Sequence, residues 1–196
     1  MIFTVIAACS AHHDPAPVTE KATPTGSNAN GSSASGSNGS NGGLTMHRTQ
    51  TGTPDAKGWY LAHSEAGRFS VLMPAPFNDF SIDSLSQKGA TITTDAIGTQ
   101  RTDGVKFSAI CNRGGDVAPS EALKTVPEKM GVHADHLTFK GHEAVEMRSI
   151  DPPGLMRVIA VRNQLCILIV DPQGPSKIVP DAEAKIMFES FTPDPS

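Results

Sequence analysis

The feature that most constrains the fold is a run of six apolar residues late in the chain, LCILIV at positions 165–170. Successive side chains of a β-strand point to opposite faces, so this run offers no polar residue to either face. A strand of this kind is typical of a position that is buried on both sides. We therefore expect a layered fold in which this strand lies inside a sheet and other elements cover both of its faces.

Several shorter β-type runs surround this strand and are separated by turn signals. Asp103-Gly104 is a strong hairpin signal, and Gly141 lies between two further runs. The predicted strands are 59–63, 68–73, 90–97, 105–111, 136–139, 144–148, 155–161 and 165–170. Because hairpins dominate this pattern, the sheet is predicted to be mainly antiparallel.

Two segments show the period of a helix, 119–130 and a segment between 176 and 190. Pro127 lies inside the first segment and is expected to kink or end it. The apolar stripes are formed by Leu123, Val126 and Met130 in the first segment and by Ala182, Ile186 and Met187 in the second. The predicted fold class is therefore α+β, a mainly antiparallel sheet with two helices packed on it as an α/β/α sandwich.

The N-terminal part of the chain has a composition that does not support a core. Residues 25–43 read TGSNANGSSASGSNGSNGG, with no apolar residue larger than alanine. Such a run buries too little surface to offset the entropy lost on ordering. We interpret 10–56 as a disordered Gly/Ser/Asn-rich tether and 57–192 as a single globular domain.

The first nine residues, MIFTVIAAC, are apolar apart from Thr4. Ile6-Ala7-Ala8-Cys9 fits the lipobox of bacterial lipoproteins, a branched aliphatic residue and two small residues before the cysteine that receives lipid. We interpret 1–9 as a lipoprotein-type signal segment, with Cys9 as the lipid anchor in the membrane of the cell envelope, on the periplasmic or the outer surface. The alternatives are a disordered N-terminus with an accidental cysteine and a cleaved secretory signal.

The stretch GRFSVLMPAP at 67–76 carries a resemblance to a known group of exported domains. Further matching pieces are GHEAVE at 141–146, the strand that contains Arg157, and FESF at 188–191. On these residues the chain resembles uncharacterised bacterial lipoproteins whose domain is similar to the PsbP-like antiparallel α-β-α sandwich. The resemblance implies a fold and an exported location. Its motifs are structural, so it implies no catalytic residue.

The sequence lacks the local motifs of serine hydrolases, P-loop enzymes, dinucleotide-binding proteins and HExxH metalloproteases. Its richest polar cluster contains His133, Asp135 and His136, with His142 six residues further on. These side chains are candidate zinc or copper ligands if a turn brings them together. The alternative is a polar loop with solvent-facing histidines. Glu143 and Glu146, at an odd separation on a strand, are expected on opposite faces and so argue against a carboxylate pair.

Two cysteines remain if Cys9 is lipidated, and both lie in apolar strands. Cys111 and Cys166 form an even set, which makes a disulfide possible. Buried thiols without a bond are the interpretation that we favour, because the apolar surroundings suit them equally well.

Composition bears on the function class. The formal net charge is −4, there is one Trp and one Tyr, and no basic stripe occurs, which argues against nucleic-acid binding. We expect a tethered, non-catalytic domain, with no cofactor, that binds an envelope protein, a lipid, a cell-wall component or a small ligand. The alternative is an enzyme or a metal-binding protein with its site near His133, His136 and His142. A purely structural envelope protein is a third possibility.

Overall fold

The structure, a computed structural model, describes residues 43–50, 54–175 and 177–194. The described residues belong to one compact unit. Its elements, in chain order, are β1 Leu44–Gln50, β2 Trp59–Ser64, β3 Phe69–Pro74, β4 Phe77–Leu85, β5 Thr91–Gln100, β6 Val105–Gly114, α1 Pro119–Met130, β7 Ala134–Phe139, β8 His142–Ile150, β9 Pro153–Val161, β10 Gln164–Pro172, α2 Asp181–Ser190 and β11 Thr192–Pro193.

The strands form two sheets. The larger has eight strands in the order β1-β4-β5-β6-β10-β9-β8-β7, and the smaller has three in the order β11-β3-β2. Every strand pair in the described chain is antiparallel. The expectation of an α+β fold with a mainly antiparallel sheet and two helices is confirmed.

Strand β10 lies inside the large sheet and is covered on both faces, as its sequence predicts. Leu168 and Val170 belong to a cluster that also contains residues of α2 and of the small sheet. Leu165 and Ile167 point the other way, into a second cluster with residues of α1. We name these two sides of the large sheet the α2 face and the α1 face. The α2-face cluster is the larger and includes Trp59, Phe69, Phe107, Phe139, Phe188 and Phe191.

Helix α1 has the bounds that the sequence predicts, and of its predicted stripe Leu123 and Val126 are buried and Met130 is half-buried. It buries Ala122, Leu123 and Val126. Pro127 lies inside it without ending it. The helix ends at Gly131, whose φ of 64° is the left-handed conformation that glycine adopts most readily, and whose N–H donates to the Glu128 carbonyl at 3.2 Å.

Helix α2 corrects the predicted stripe. Its buried residues are Ala184, Met187 and Phe188, whereas Ala182 is exposed. Ile186 is half-buried and packs against the α2-face cluster. The buried stripe is therefore shifted towards Ala184 and Phe188, and Phe188 is the largest side chain that α2 buries. No helix among the described residues has both the length and the apolar character needed to cross a bilayer.

Three observed strands, β1, β4 and the two-residue β11, are absent from the sequence prediction. Strand β1 pairs with β4, although it lies inside the segment 10–56 that was predicted to be a tether, so the boundary at 57 is too late. The other predicted features of 1–42 lie outside the described residues. Strand β4 was not predicted, because Asp79 and Ser81 take its positions on the covered α2 face and hide the usual alternation.

The structure joins Cys111 and Cys166 by a disulfide. The two residues are direct partners in the register of β6 and β10, with Cα atoms 4.0 Å apart, and both side chains are fully buried on the α2 face. This corrects the interpretation of both as unbonded thiols. The register between distant strands brings the cysteines together, and the sequence alone does not contain that information.

Candidate functional site

The structure separates the histidines that the sequence grouped together. His133 lies before β7, where its Nε2 is 3.3 Å from Oδ1 of Asp135, and both side chains are more than four-fifths exposed. His136 and His142 lie on opposite faces of the β7–β8 hairpin. Ala134, two residues before His136, packs on the α1 face, whereas Ala144, two residues after His142, is buried on the α2 face. The described residues contain no group of three or more His, Cys, Asp or Glu side chains that is placed to hold a metal ion.

Glu143 and Glu146 also lie on opposite faces, as expected for an odd separation. Glu143 is exposed on the α1 face. Glu146 accepts two hydrogen bonds from Arg157, at 2.9 and 2.7 Å. The two carboxylates therefore do not form an acid–base pair. The lipidation candidate Cys9 lies outside the described residues.

Arg157 is a buried cation that the structure uses internally. Its side chain pairs with Glu146 on β8 and with Glu189 on α2, the latter at 2.9 Å. Its guanidinium lies over the rings of Phe139 and Phe188, with centroids at 4.9 and 5.1 Å. These contacts hold α2 against the sheet, and they leave the charge of Arg157 satisfied within the fold.

A second polar cluster, which the sequence analysis missed, crosses β1, β4, β5 and β6 on the α2 face. Asp95 is fully buried and accepts hydrogen bonds from Arg113, at 2.7 and 3.0 Å, and from the Ser81 hydroxyl, at 2.5 Å. The His47 ring nitrogen Nε2 lies 2.7 Å from the Ser81 oxygen. Alternate polar residues in neighbouring strands were the available signal, but only the strand register aligns them.

This arrangement does not activate a serine nucleophile. Because the Ser81 hydroxyl donates its proton to Asp95, His47 must be the donor in its contact with Ser81. A general base would have to accept that proton instead. The cluster is a satisfied buried ion pair with a polar extension toward β1, and we assign it a structural role.

An open groove of about 430 Å³ lies between α1 and the β7–β8 hairpin, on the α1 face. Its wall is formed by Ser120, Leu123 and Lys124 of α1, and its floor by His136, Leu137 and Thr138 of β7 and by Glu143 and Ala144 of β8. Helix α1 packs mainly on β8, β9 and β10, whereas β7 is the last strand of the sheet beyond β8. The groove is the space that the helix leaves beside the last strand of the sheet.

The groove carries polar groups that the fold does not use. Lys124 and Glu143 both line it and are exposed, and neither forms an ion pair within the described residues. Arg157 and Asp95, by contrast, have their charges paired inside the fold. A second cavity of about 300 Å³, lined by residues 114–119 and Asn163, lies at the start of α1. It contains one charged side chain, Asp116. The groove is therefore the candidate binding site, and it contains His136 of the sequence-predicted candidates.

The lining of the groove offers several polar groups to a ligand. It brings together two hydroxyls, an ammonium, an imidazole and a carboxylate, which together supply donors and acceptors to a ligand. No hydrogen bond links any two of these five side chains in the described structure. A comparison of the chain with models of known protein families finds no match, and a comparison with curated protein sequences finds none either.

Proposed function

We propose that this protein is an exported bacterial lipoprotein whose domain binds a ligand, without catalysis, in the groove between α1 and the β7–β8 hairpin. The observation that carries the proposal is the contrast in charge use. The buried charges at Arg157 and Asp95 are paired inside the fold, whereas Lys124 and Glu143 have no ion pair in the described structure and line one groove together with His136. A ligand can therefore pair with these two side chains without displacing an existing ion pair of the fold.

The topology supports a tethered arrangement. The described chain enters the sheet through β1, and β1 and β7 lie at opposite ends of the eight-stranded order. Seven strand spacings of about 4.8 Å put roughly 34 Å between these edges. With Cys9 as the lipid anchor, the residues between it and Gly43 would span roughly 29–35 Å as a Gly/Ser-rich chain.

The finer fold proposal is the PsbP-like α-β-α sandwich. It is supported by two helices that lie on opposite faces of one antiparallel sheet, together with the glycine and proline positions in 67–76 that carry the resemblance. The departure from a simple three-layer arrangement is the small sheet β11-β3-β2, which covers the α2 face beside α2.

NMR chemical-shift mapping tests binding in the groove. The sample is the full chain, and the amide signals of residues 43–196 are followed. The probes are soluble peptidoglycan fragments, anionic lipid micelles and synthetic peptides, each titrated separately. We expect at least one probe to shift the amides of Ser120, Lys124, His136 and Thr138. Lys124→Glu should weaken that binding, and Lys129→Glu, the same charge change elsewhere on α1, should not. Shifts confined to other surfaces, or none with any probe, would contradict the proposal.

The anchor is tested independently. In a bacterial host, the wild-type chain should partition into detergent, and Cys9→Ala should remain in the aqueous phase, because lipidation needs the cysteine thiol. If both forms partition alike, Cys9 is not the anchor. This result does not depend on the groove, so the membrane location and the binding site are tested independently of each other.

A further inference from the structure

Strand β7 is an exposed edge of the large sheet. It pairs with β8 on one side, and no other described strand pairs with it. Natural proteins protect such edges with bulges, prolines or very short strands. At the opposite edge, β1 has a register irregularity between Met46 and Arg48. Strand β7 has six residues in continuous register and contains neither a bulge nor a proline. Of the two edges, β7 is the one that is open to a further strand.

The hairpin turn decides which backbone groups face outward. Lys140 and Gly141 form a two-residue turn with φ of 48° and 82°, which is typical of a type I′ hairpin. The flanking pair, Phe139 and His142, is then a hydrogen-bonded pair, and such pairs alternate along an antiparallel ladder. Leu137 and Asp135 therefore bond to β8, whereas the N–H and C=O groups of Thr138 and His136 point away from it. Within the described residues, no backbone group pairs with these outward groups.

The outward backbone and the groove belong to one surface. His136 and Thr138 have their side chains in the groove and their backbone groups at the edge. A chain laid along β7 would thus form main-chain hydrogen bonds with these two residues, and its alternate side chains would enter the groove beside α1. This is the geometry of β-strand addition next to a helix, in which the backbone supplies affinity and the groove supplies specificity.

The charges favour an acidic chain. Lys124 has no ion pair among the described residues, and the groove also contains Ser120 in the first turn of α1, where the helix dipole favours negative charge. Glu143 lies on β8, so a strand added outside β7 would be two strand spacings, roughly 10 Å, away from it. His136 lies on the adjacent strand and offers a further donor.

From the open edge, the outward backbone groups and the groove charges, we propose that the ligand is an extended peptide segment with an acidic side chain, which adds to β7 as a further strand and places that side chain beside Lys124. This inference rests on the proposed function of the groove. It names the ligand class as a peptide and excludes cell-wall fragments and lipids from this surface.

The experiment uses the full chain and a phage-displayed library of random eight-residue peptides, from which enriched peptides are synthesised with a fluorescent label. We expect the enriched peptides to contain Asp or Glu. His136→Pro removes one outward N–H at an edge position that tolerates proline, and should weaken binding about tenfold, the equivalent of one hydrogen bond. His136→Ala keeps that N–H and should bind more tightly than His136→Pro. Lys124→Glu should also weaken binding about tenfold, whereas Lys129→Glu should leave it unchanged.

Amide hydrogen exchange gives a signature that a different binding mode would not produce. The bound peptide should slow exchange at His136 and Thr138 and leave it unchanged at Asp135 and Leu137, which already bond to β8. Protection at all four amides, or at none, would overturn the proposal, as would a library without enriched peptides. If β7 amides become protected without peptide as the protein dimerises, a second copy occupies the edge and the inference is wrong. If peptides fail while peptidoglycan fragments or lipids shift the groove, this inference fails and the proposed function survives.

Discussion

The two helices are held to the large sheet by different interactions. Helix α2 forms three ion pairs with arginines of the sheet and its turns, Arg101–Glu183, Arg148–Asp181 and Arg157–Glu189. The buried Phe188 adds an aromatic contact with Arg157. Helix α1 forms no ion pair within the described residues and rests on aliphatic contacts from Ala122, Leu123 and Val126.

The helix that is held by ion pairs and the helix that lines the candidate site are not the same one. Charged residues on α2 are used to fix it in place, so that its surface has little left to offer a ligand. The charged residues of α1 are free of such ties in the described structure, and Lys124 among them lines the groove. The helix with the fewest polar ties to the sheet is therefore the one that forms the candidate site.

The largest expected effect compares the anchoring side chains of the two helices. Phe188→Ala should lower the free energy of unfolding by about 3–5 kcal/mol, because it empties a fully enclosed site in the larger cluster. Leu123→Ala, its counterpart on α1, should lie toward the lower end of about 2–5 kcal/mol, since α1 borders open space at the groove. Urea denaturation measures both values. An equal or larger loss for Leu123→Ala would break the comparison.

A second pair of substitutions tests both faces from a single strand. The Leu168 side chain points to the α2 face and the Ile167 side chain to the α1 face. Leu168→Ala and Ile167→Ala should each lower the free energy of unfolding by about 2–5 kcal/mol. We expect the larger loss for Leu168, which is fully buried, whereas Ile167 retains 7% exposure. A near-zero loss for Ile167→Ala would show that α1 does not cover its face in solution.

The disulfide lies on the α2 face, and its removal tests how much it contributes to the stability of the fold. The double substitution of Cys111→Ala and Cys166→Ala should lower the free energy of unfolding by about 2–4 kcal/mol, because the bond closes a loop with a sequence separation of 55. Thermal unfolding of the double variant, compared with the wild type under oxidising conditions, measures the loss. If the wild type gives the same stability with and without a reducing agent, the bond contributes nothing.

The smallest expected effect is on the pH dependence of stability, through the ion pair between Arg101 and Asp103. The hydrogen bond from Arg101 lowers the pKa of Asp103 and raises the pKa of Arg101, which also pairs with Glu183 of α2. Because the folded-state pKa of Asp103 is depressed, its contribution is present above the unfolded-state value of about 3.9 and is lost as pH falls through the lower folded-state value. Asp103→Asn should therefore reduce stability slightly at neutral pH and have no effect at strongly acidic pH.

Unfolding curves at several pH values between neutral and strongly acidic measure this difference. Asp135→Asn, another exposed carboxylate, is the matched control, since its partner His133 lies before β7 and not in contact with α2. If the difference between Asp103→Asn and the wild type persists at the lowest pH, the ion pair with Arg101 is not its cause.

Most of the regular elements follow from local sequence. The strands from β5 to β10 and helix α1 lie where periodicity, Asp103-Gly104 and the glycine after Met130 predict them. The prediction fails at β4, where Asp79 and Ser81 occupy covered positions, and at β1, whose pairing with β4 is not encoded in its own composition. A polar side chain can lie on a covered face only when residues distant in the sequence supply its hydrogen-bond partners. A local hydrophobic pattern does not contain these partners, so it does not predict a strand at such positions.

The sequence by itself determined the doubly buried strand, the antiparallel hairpins and the position of α1, since each depends on residues within one or two turns of chain. Only the tertiary structure decided the disulfide between Cys111 and Cys166, the ion pair of Asp95 with Arg113, and the separation of His136 from His142. These depend on the register between strands. A shift of one residue would move every side chain of a strand to the other face, and non-local packing is what fixes that register.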